Sequence, residues 1–162
     1  MVQVLLGLGS NLGDREGNIR AALARLGAVM VVEKVSSFYE TDPIGYLDQP
    51  SFINIVCLVS AELSPLGILD LAKTIEEQMG RKPNFRNGPR LIDVDILSYG
   101  DLVLDTEELT IPHPRLSERS FVLVPLSEIS PDWRHPTLAK TALEMAGEVG
   151  SRGVRLMVGA AD

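Results

Sequence analysis

Apolar positions along this chain fall into two spacings, and the switches between them predict its elements. Val2 to Gly9 is a nearly continuous apolar run, which predicts a central strand. The turn Ser10-Asn11-Leu12-Gly13-Asp14 leads into a helix, because Ile19, Ala22, Leu23 and Leu26 recur at helical spacing and Gly27 supplies a stop. Val29 to Tyr39 and Phe52 to Glu62 predict two more strands. Between them Thr41 to Pro50 is rich in breakers, and a long ordered loop is often functional. Ser64-Pro65 opens a second helix with Leu66, Leu69, Leu71, Ile75 and Met79 as its apolar stripe, ending at Gly80. A basic loop over 81–89 precedes a strand around Asp93. The turn Tyr99-Gly100-Asp101 then predicts a hairpin partner at Leu102-Val103-Leu104. Short helices around Phe121 to Glu128 and Leu138 to Met145 follow.

The order β-α-β-β-α-β over the first hundred residues predicts an α+β fold of the ferredoxin-like, split βαβ kind: a mainly antiparallel sheet with helices on one face, here with a C-terminal helical extension. At 162 residues and 45% hydrophobic content the chain reads as one domain, 1–162. That architecture hosts many activities, so function has to be argued from a site.

Composition narrows the field. No run is long enough to span a membrane, and the apolar start lacks the basic flank of a signal peptide, so a cytoplasmic monomer is expected. Cys57 is the one cysteine and sits in an apolar run, which excludes a disulfide and predicts a buried thiol. A formal net charge of −7 argues against general nucleic-acid or anionic-membrane binding. The basic residues are nevertheless clustered: Arg81, Lys82, Arg86 and Arg90 crowd one stretch, and Arg115 and Arg119 follow.

Arg90 leads directly into Asp93-Val94-Asp95. On a strand both carboxylates leave by one face while Ile92, Val94 and Ile96 leave by the other. An acid pair alone is compatible with a solvated edge. Here the opposite face is apolar, and two like charges side by side repel unless a cation lies between them. Positions i and i+2 lie about 6 to 7 Å apart, which suits a pair of Mg²⁺ ions roughly 3.5 to 4 Å apart. Arginines beside such a pair read as a polyphosphate clamp, since guanidinium offers forked donors to phosphate oxygens.

Gly9-Ser10-Asn11-Leu12-Gly13, Val35-Ser36-Ser37-Phe38-Tyr39, Asp48-Gln49-Pro50, Phe52-Ile53-Asn54, Gly88-Pro89-Arg90 through Asp95, and Pro112-His113 occur in one order over most of the chain. In that order they resemble the 6-hydroxymethyl-7,8-dihydropterin pyrophosphokinase family of folate biosynthesis. The resemblance implies transfer of the β,γ-diphosphate of ATP to the pterin hydroxymethyl group with release of AMP. It implies that Asp93 and Asp95 bind two Mg²⁺ ions, and that Arg81 and Arg90 engage the phosphates together with His113 and Arg119. It further implies that Phe52 and Phe121 sandwich the pterin, that Asn54 reads its polar edge, and that Thr41, Pro43 and Ile44 lie in the pterin loop. Ile96, Leu109 and Thr110 match positions near the adenine, and Glu76 matches an acid at the nucleotide or metal site.

Three departures bear on the lid over the nucleotide. The basic loop before Gly88 is one residue shorter than in well-known relatives, Asn87 replaces a common Trp, and Pro114 stands where an aromatic often follows the His. Two other functions compete. A two-metal nucleotidyltransferase also joins a Gly-Ser turn to a D-x-D strand, but with the two close in sequence, whereas Gly9-Ser10 and Asp93 are roughly eighty residues apart. A non-catalytic ferredoxin-like binding domain explains the fold but not Arg90, Asp93, Asp95 and His113 together.

Overall fold

Period-two alternation in the first strand, β1 (Val2–Ser10), sets the layering of the molecule. Val4, Leu6 and Leu8 point into one apolar layer and Leu5 into another, while Gly7 and Gly9 share the Leu5 face with no side chain at all. The computed structural model describes residues 1–80 and 89–157. After β1 come α1 (Arg15–Gly27), β2 (Val31–Val35), β3 (Tyr39–Thr41), β4 (Phe52–Ala61), α2 (Pro65–Gln78), β5 (Asp93–Tyr99), β6 (Leu104–Asp105), β7 (Thr110–Ile111), α3 (Ser120–Ile129), α4 (Ala142–Val149) and β8 (Val154–Leu156).

The fold is α+β. The main sheet runs β5-β1-β4-β3-β8, β2 joins beside β4, and every pairing is antiparallel. One face packs on Ile19, Ala22 and Leu26 of α1 and on Ile68, Ala72 and Ile75 of α2. The other face is covered in part by α3 and α4, through Val122, Leu123, Leu126, Ala142 and Met145. Helices therefore lie on both faces, and the stretch that α3 and α4 leave bare is the floor of a cleft. Asp14 caps α1, its carboxylate accepting from Gly17 N at 3.1 Å, and Ser64 caps α2 through Gly67 N at 3.1 Å. Among the described residues no helix is long and apolar enough to cross a membrane.

Several expected elements differ. The strand expected over Val29 to Tyr39 is two strands, because Ser36, buried, both donates its N–H to Val56 O at 2.9 Å and accepts from Val56 N through Oγ at 3.0 Å. Val35 faces Cys57 and Tyr39 faces Asn54, so three residues oppose two, and the strand bulges. Glu128 of α3 pins this step, accepting from Ser37 N, Ser37 Oγ and the Tyr39 hydroxyl. The segment Ser36 to Tyr39 is thus a structural joint.

Leu102-Val103-Leu104 does not pair with β5. The free edge of β5 is taken by His113 N, which donates to Leu97 O at 3.0 Å, and Leu104 pairs with Ile111 in the small β6–β7 sheet. Leu102, Leu104 and Leu109 pack against the α1/α2 layer, where they bury more apolar surface than an exposed hairpin would. On α2 the buried stripe is Ile68, Ala72, Ile75 and Glu76, and Leu66 is exposed. The last helix begins at Ala142, not Leu138, because Thr141 and Glu144 form a reciprocal capping box there. Just before it His135 Nδ1 accepts from Thr137 N and Leu138 N, a structural turn. Finally, the chain returns after α4 as β8, a strand that periodicity did not predict.

Cys57 is wholly buried, and burial pushes its thiol up to about 12. Thiolate is the reactive form, so Cys57 should be inert to a thiol-reactive disulfide reagent in the native protein and react stoichiometrically in denaturant. Fast native-state labelling, followed by absorbance of the released thiol, would contradict this packing.

Candidate active site

The cleft encloses about 450 Å³ and is walled by the sheet floor, the start of the loop after β3, the His113 to Glu118 segment and the beginning of α3. Its floor is built by register. Gly9 lies opposite Asn54 of β4 on one side and Asp93 of β5 on the other, and Gly7 lies opposite Val56 and Asp95. With adjacent strands about 4.8 Å apart, the amide of Asn54 and the carboxylate of Asp93 stand roughly 10 Å apart across a glycine. A Cβ at Gly9 would sit 2.5 Å from Asn54 Nδ2, so any side chain there would evict the amide. Gly9, which the sequence showed only as the end of a strand, lines the cleft.

One end of the floor is polar and aromatic. Thr41, buried, donates through Oγ1 to Asn54 Oδ1 at 2.6 Å, which fixes the amide with its nitrogen toward β1 and Leu8 O. Phe52 from β4, Phe121 from α3 and Ile44 from the loop complete this end. Pro43 belongs to the same loop but does not line the wall. A flat heteroaromatic ring with a hydrogen-bonding edge suits such a mixture of rings and a fixed amide.

The other end is charged. Asp93, Asp95 and Leu97 face the cleft while Val94 and Ile96 enter the α1/α2 layer, as alternation requires. Arg90, Arg115 and Arg119 line the same end with His113 and Glu118. The Arg119 guanidinium lies 5.4 Å from the centre of the Phe121 ring, tying the basic wall to the aromatic end. His113 Nδ1 accepts from Arg115 N at 3.2 Å, leaving Nε2 as the nitrogen that carries hydrogen. Burial first, then the nearby Arg119 and Arg115 charges, lower the His113 pKa to about 4, against an opposing pull from Asp93. The imidazole is neutral at pH 7.

Arg90 is held from behind. Asn11, buried, accepts from Arg90 N at 2.7 Å through Oδ1, donates through Nδ2 to Gln49 Oε1 and Pro50 O, and donates its own N–H to Arg90 O. One amide therefore joins the loop before β4 to the approach to β5. Ser10 accepts from Asn18 Nδ2, and neither Ser10 nor Asn11 is the helix cap.

The remaining expected residues divide. Ile96 and Glu76 are buried on the far side of β5, where Glu76 accepts from Val94 N at 2.9 Å, and Leu109 and Thr110 belong to the β6–β7 region. None of these four lines the cleft. Arg81, with Lys82, Arg86 and Asn87, lies outside the described residues. Arg115 was named from sequence only as one of the clustered basic residues, without a site role, and Glu118 was not singled out.

The donor set fits a hard divalent cation. Among the described residues no cluster of three or more His, Cys, Asp or Glu forms a complete protein cage. Mg²⁺ needs none, since it is commonly held by one or two carboxylates plus water and substrate phosphate oxygens. Four carboxylates, Asp42, Asp93, Asp95 and Glu118, line the described wall against three arginines, so an entering polyphosphate needs added positive charge.

Comparison with known proteins agrees with this geometry. The family model described as 7,8-dihydro-6-hydroxymethylpterin-pyrophosphokinase (HPPK) matches residues 5–131. The chain is 47% identical over 142 residues to the folic acid synthesis protein FOL1 of Dictyostelium discoideum, covering 88% of this chain but only 22% of that protein. It thus spans about a fifth of the length of this relative. Against the 2-amino-4-hydroxy-6-hydroxymethyldihydropteridine pyrophosphokinase of Bacillus subtilis it is 48% identical over 126 residues, 76% of this chain and 75% of the other. The enzyme of that name from Aquifex aeolicus is 42% identical over 148 residues, 91% and 92% of the two chains. The crystal structure of wild-type Plasmodium falciparum HPPK-DHPS superposes with a TM-score of 0.71 at 18% identity, covering 93% of this chain and 45% of that one, a likeness of fold. On the family match and these two pyrophosphokinase relatives, each covered over three quarters of its length or more, this chain belongs to the 7,8-dihydro-6-hydroxymethylpterin-pyrophosphokinase family.

Proposed function

We propose that the chain transfers the β,γ-diphosphate of ATP to the hydroxymethyl oxygen of 6-hydroxymethyl-7,8-dihydropterin and releases AMP. The observation that carries this reading is the glycine-floored row Asn54, Gly9, Asp93, which joins a ring-reading end to a charged end in one trough. The family membership of the chain supports it. The strand order β5-β1-β4 with β2 and β3 beyond it, all antiparallel, supports a ferredoxin-like core within a single domain, 1–162. A cytoplasmic monomer is part of the same proposal.

In this reading Phe52 and Phe121 hold the pterin between their faces, and Asn54, oriented by Thr41, hydrogen-bonds its polar edge. Thr41, Pro43 and Ile44 close the loop side. Asp93 and Asp95 hold two Mg²⁺ ions, which when bound neutralise phosphate charge and make the β-phosphorus a better electrophile. Arg81, Arg90 and Arg119 donate to phosphate oxygens, and His113 adds a neutral Nε2–H donor. The family resemblance assigns Ile96, Leu109, Thr110 and Glu76 to the nucleotide region, where the buried Ile96 and Glu76 support β5 from its core face and do not line the cleft. Positioning and charge stabilisation then supply most of the rate enhancement, as is general for phosphoryl groups.

His113 also makes the protein pH-sensitive. Its folded pKa lies below the ordinary 6.5, so between pH 6.5 and about 4 the unfolded chain binds more protons than the folded one. The stability it contributes is full above pH 6.5 and is lost as pH falls toward 4.

Incubation with ATP, Mg²⁺ and the hydroxymethyl dihydropterin should release AMP and yield the pterin diphosphate. ADP would indicate ordinary phosphorylation, pyrophosphate a nucleotidyl transfer, and no turnover a binding domain. Asp95→Ala should lower kcat by on the order of 10²-fold or more while pterin binding, followed by fluorescence, stays near wild type. Full turnover in that variant would remove the metal assignment. In the ligand-free protein an NMR titration should find the His113 ring neutral down to about pH 5. A midpoint near 6.5 would contradict its burial.

A further inference from the structure

The loop 42–51 carries Ile44 and follows Thr41, so where it sits decides the shape of the ring-binding end. Its two ends are gripped by different arginines. At its start, Asp42 N donates to Gly153 O at 2.9 Å, and Arg155 Nη1 donates to Asp42 Oδ1 at 3.1 Å. At its far end, Arg15 Nη1 donates to Ser51 O at 3.0 Å. Glu40 bridges the two grips, with Oε2 3.1 Å from Arg15 Nη2 and Oε1 3.6 Å from Arg155 Nη2. Arg155 and Gly153 belong to β8 and its approach, beyond the stretch 5–131 that the family model matches.

The strand is fitted to this task. Tyr39, Glu40 and Thr41 pair with Leu156, Arg155 and Val154, so β8 is the outer neighbour of the short strand that delivers Thr41 to Asn54. Gly153 has φ +78, and a Cβ there would stand 3.2 Å from Asp42 Oδ2, so the turn that brings β8 against Asp42 favours glycine twice over. The hydrogen bonds to Asp42 and the charge of Glu40 hold the Arg155 guanidinium firmly in its charged form.

We propose that Arg155 is a positioning residue for the pterin: by gripping Asp42 and Glu40 it holds Thr41 and the loop 42–51 in the geometry that receives a flat heteroaromatic substrate. It touches none of the reacting groups. It acts by preorganisation, sparing the ligand the cost of ordering a loop. The inference rests on the pterin reading of the cleft.

The test compares wild type, Arg155→Ala and Arg155→Lys for binding of 6-hydroxymethylpterin by fluorescence, for KM of both substrates and for Tm. Arg155→Ala should raise the pterin Kd and KM about threefold to tenfold, leaving the KM for ATP, kcat at saturation and Tm near wild type, since the ion pairs are exposed. Arg155→Lys, which keeps one charged donor, should recover part of the loss. The pterin is uncharged, so 1 M NaCl should weaken its binding to wild type by screening the grip and weaken it less in Arg155→Ala, where only the Arg15–Glu40 pair remains to be screened. Equal pterin affinity in wild type and Arg155→Ala overturns the proposal, as does a parallel loss of ATP affinity and Tm, which would mark a merely structural strand. If wild type binds the pterin and releases AMP in those cases, the pterin reading survives alone. If wild type itself binds no pterin, both fall together.

Discussion

The molecule depends on a strand that must be two things at once. β1 is the second strand of the sheet, bonded to β4 on one side and β5 on the other, so it cannot move without dragging both. Its downward residues Val4, Leu6 and Leu8 fill the layer beneath the sheet, and that burial locks its register. Locked register is what brings Asn54 and Asp93 to opposite sides of Gly9. A slip of one residue would turn Leu8 up into the trough and the glycines down into the core, losing site and stability together. The cleft is therefore a by-product of how the core is packed on the other face.

Electrostatics follow from the same arrangement. The acids on β5 share a face because their apolar neighbours are committed to the core, and α2 reinforces this by presenting Glu76 to Val94 N between them. Packing of Val94 and Ile96 thus keeps both carboxylates on the cleft face. Arginines arrive from segments far apart in sequence, Arg90 before β5 and Arg115 and Arg119 after β7. The neutral imidazole of His113 is the counterpart: burial and two guanidiniums disfavour its protonated form, so it lines the cleft without adding to the crowd of cations. Among the described residues every buried side-chain nitrogen or oxygen has a hydrogen-bond partner.

Much of this was legible along the chain, and the failures have a common cause. The strands at Val2 and Phe52, both long helices and α3 were readable because apolar period and caps are local signals. The split at Ser36 was not, since a serine hydroxyl standing in for a ladder carbonyl depends on Val56, twenty residues away. The Leu102 segment looked like a hairpin arm because the turn before it is real, yet its leucines pack against the α1/α2 layer. β8 is only three residues long, too short for periodicity to declare it: its value lies in backbone pairing with β3 and in Arg155, neither visible without the partner strand. In the site, the acid pair, Arg90, His113, Phe52, Asn54 and Phe121 were identified from motif and resemblance. Gly9 and Arg115 were named without a site role and Glu118 was missed, because a glycine's role is the space it leaves and a surface charge has no periodicity.

By itself, then, the sequence determined which residue types alternate, where helices start and stop, and that two acids and a set of arginines would share a strand and its neighbours. These are one-dimensional properties: spacing, caps and breakers act within a few residues. Only the tertiary structure decided that Asn54 and Asp93 face each other across Gly9, that Asn11 ties two loops to Arg90, and that a late strand braces the loop after Thr41. Each of those depends on pairing register and on hydrogen bonds between segments tens of residues apart. No local preference encodes such contacts, because their free energy exists only once the strands have met.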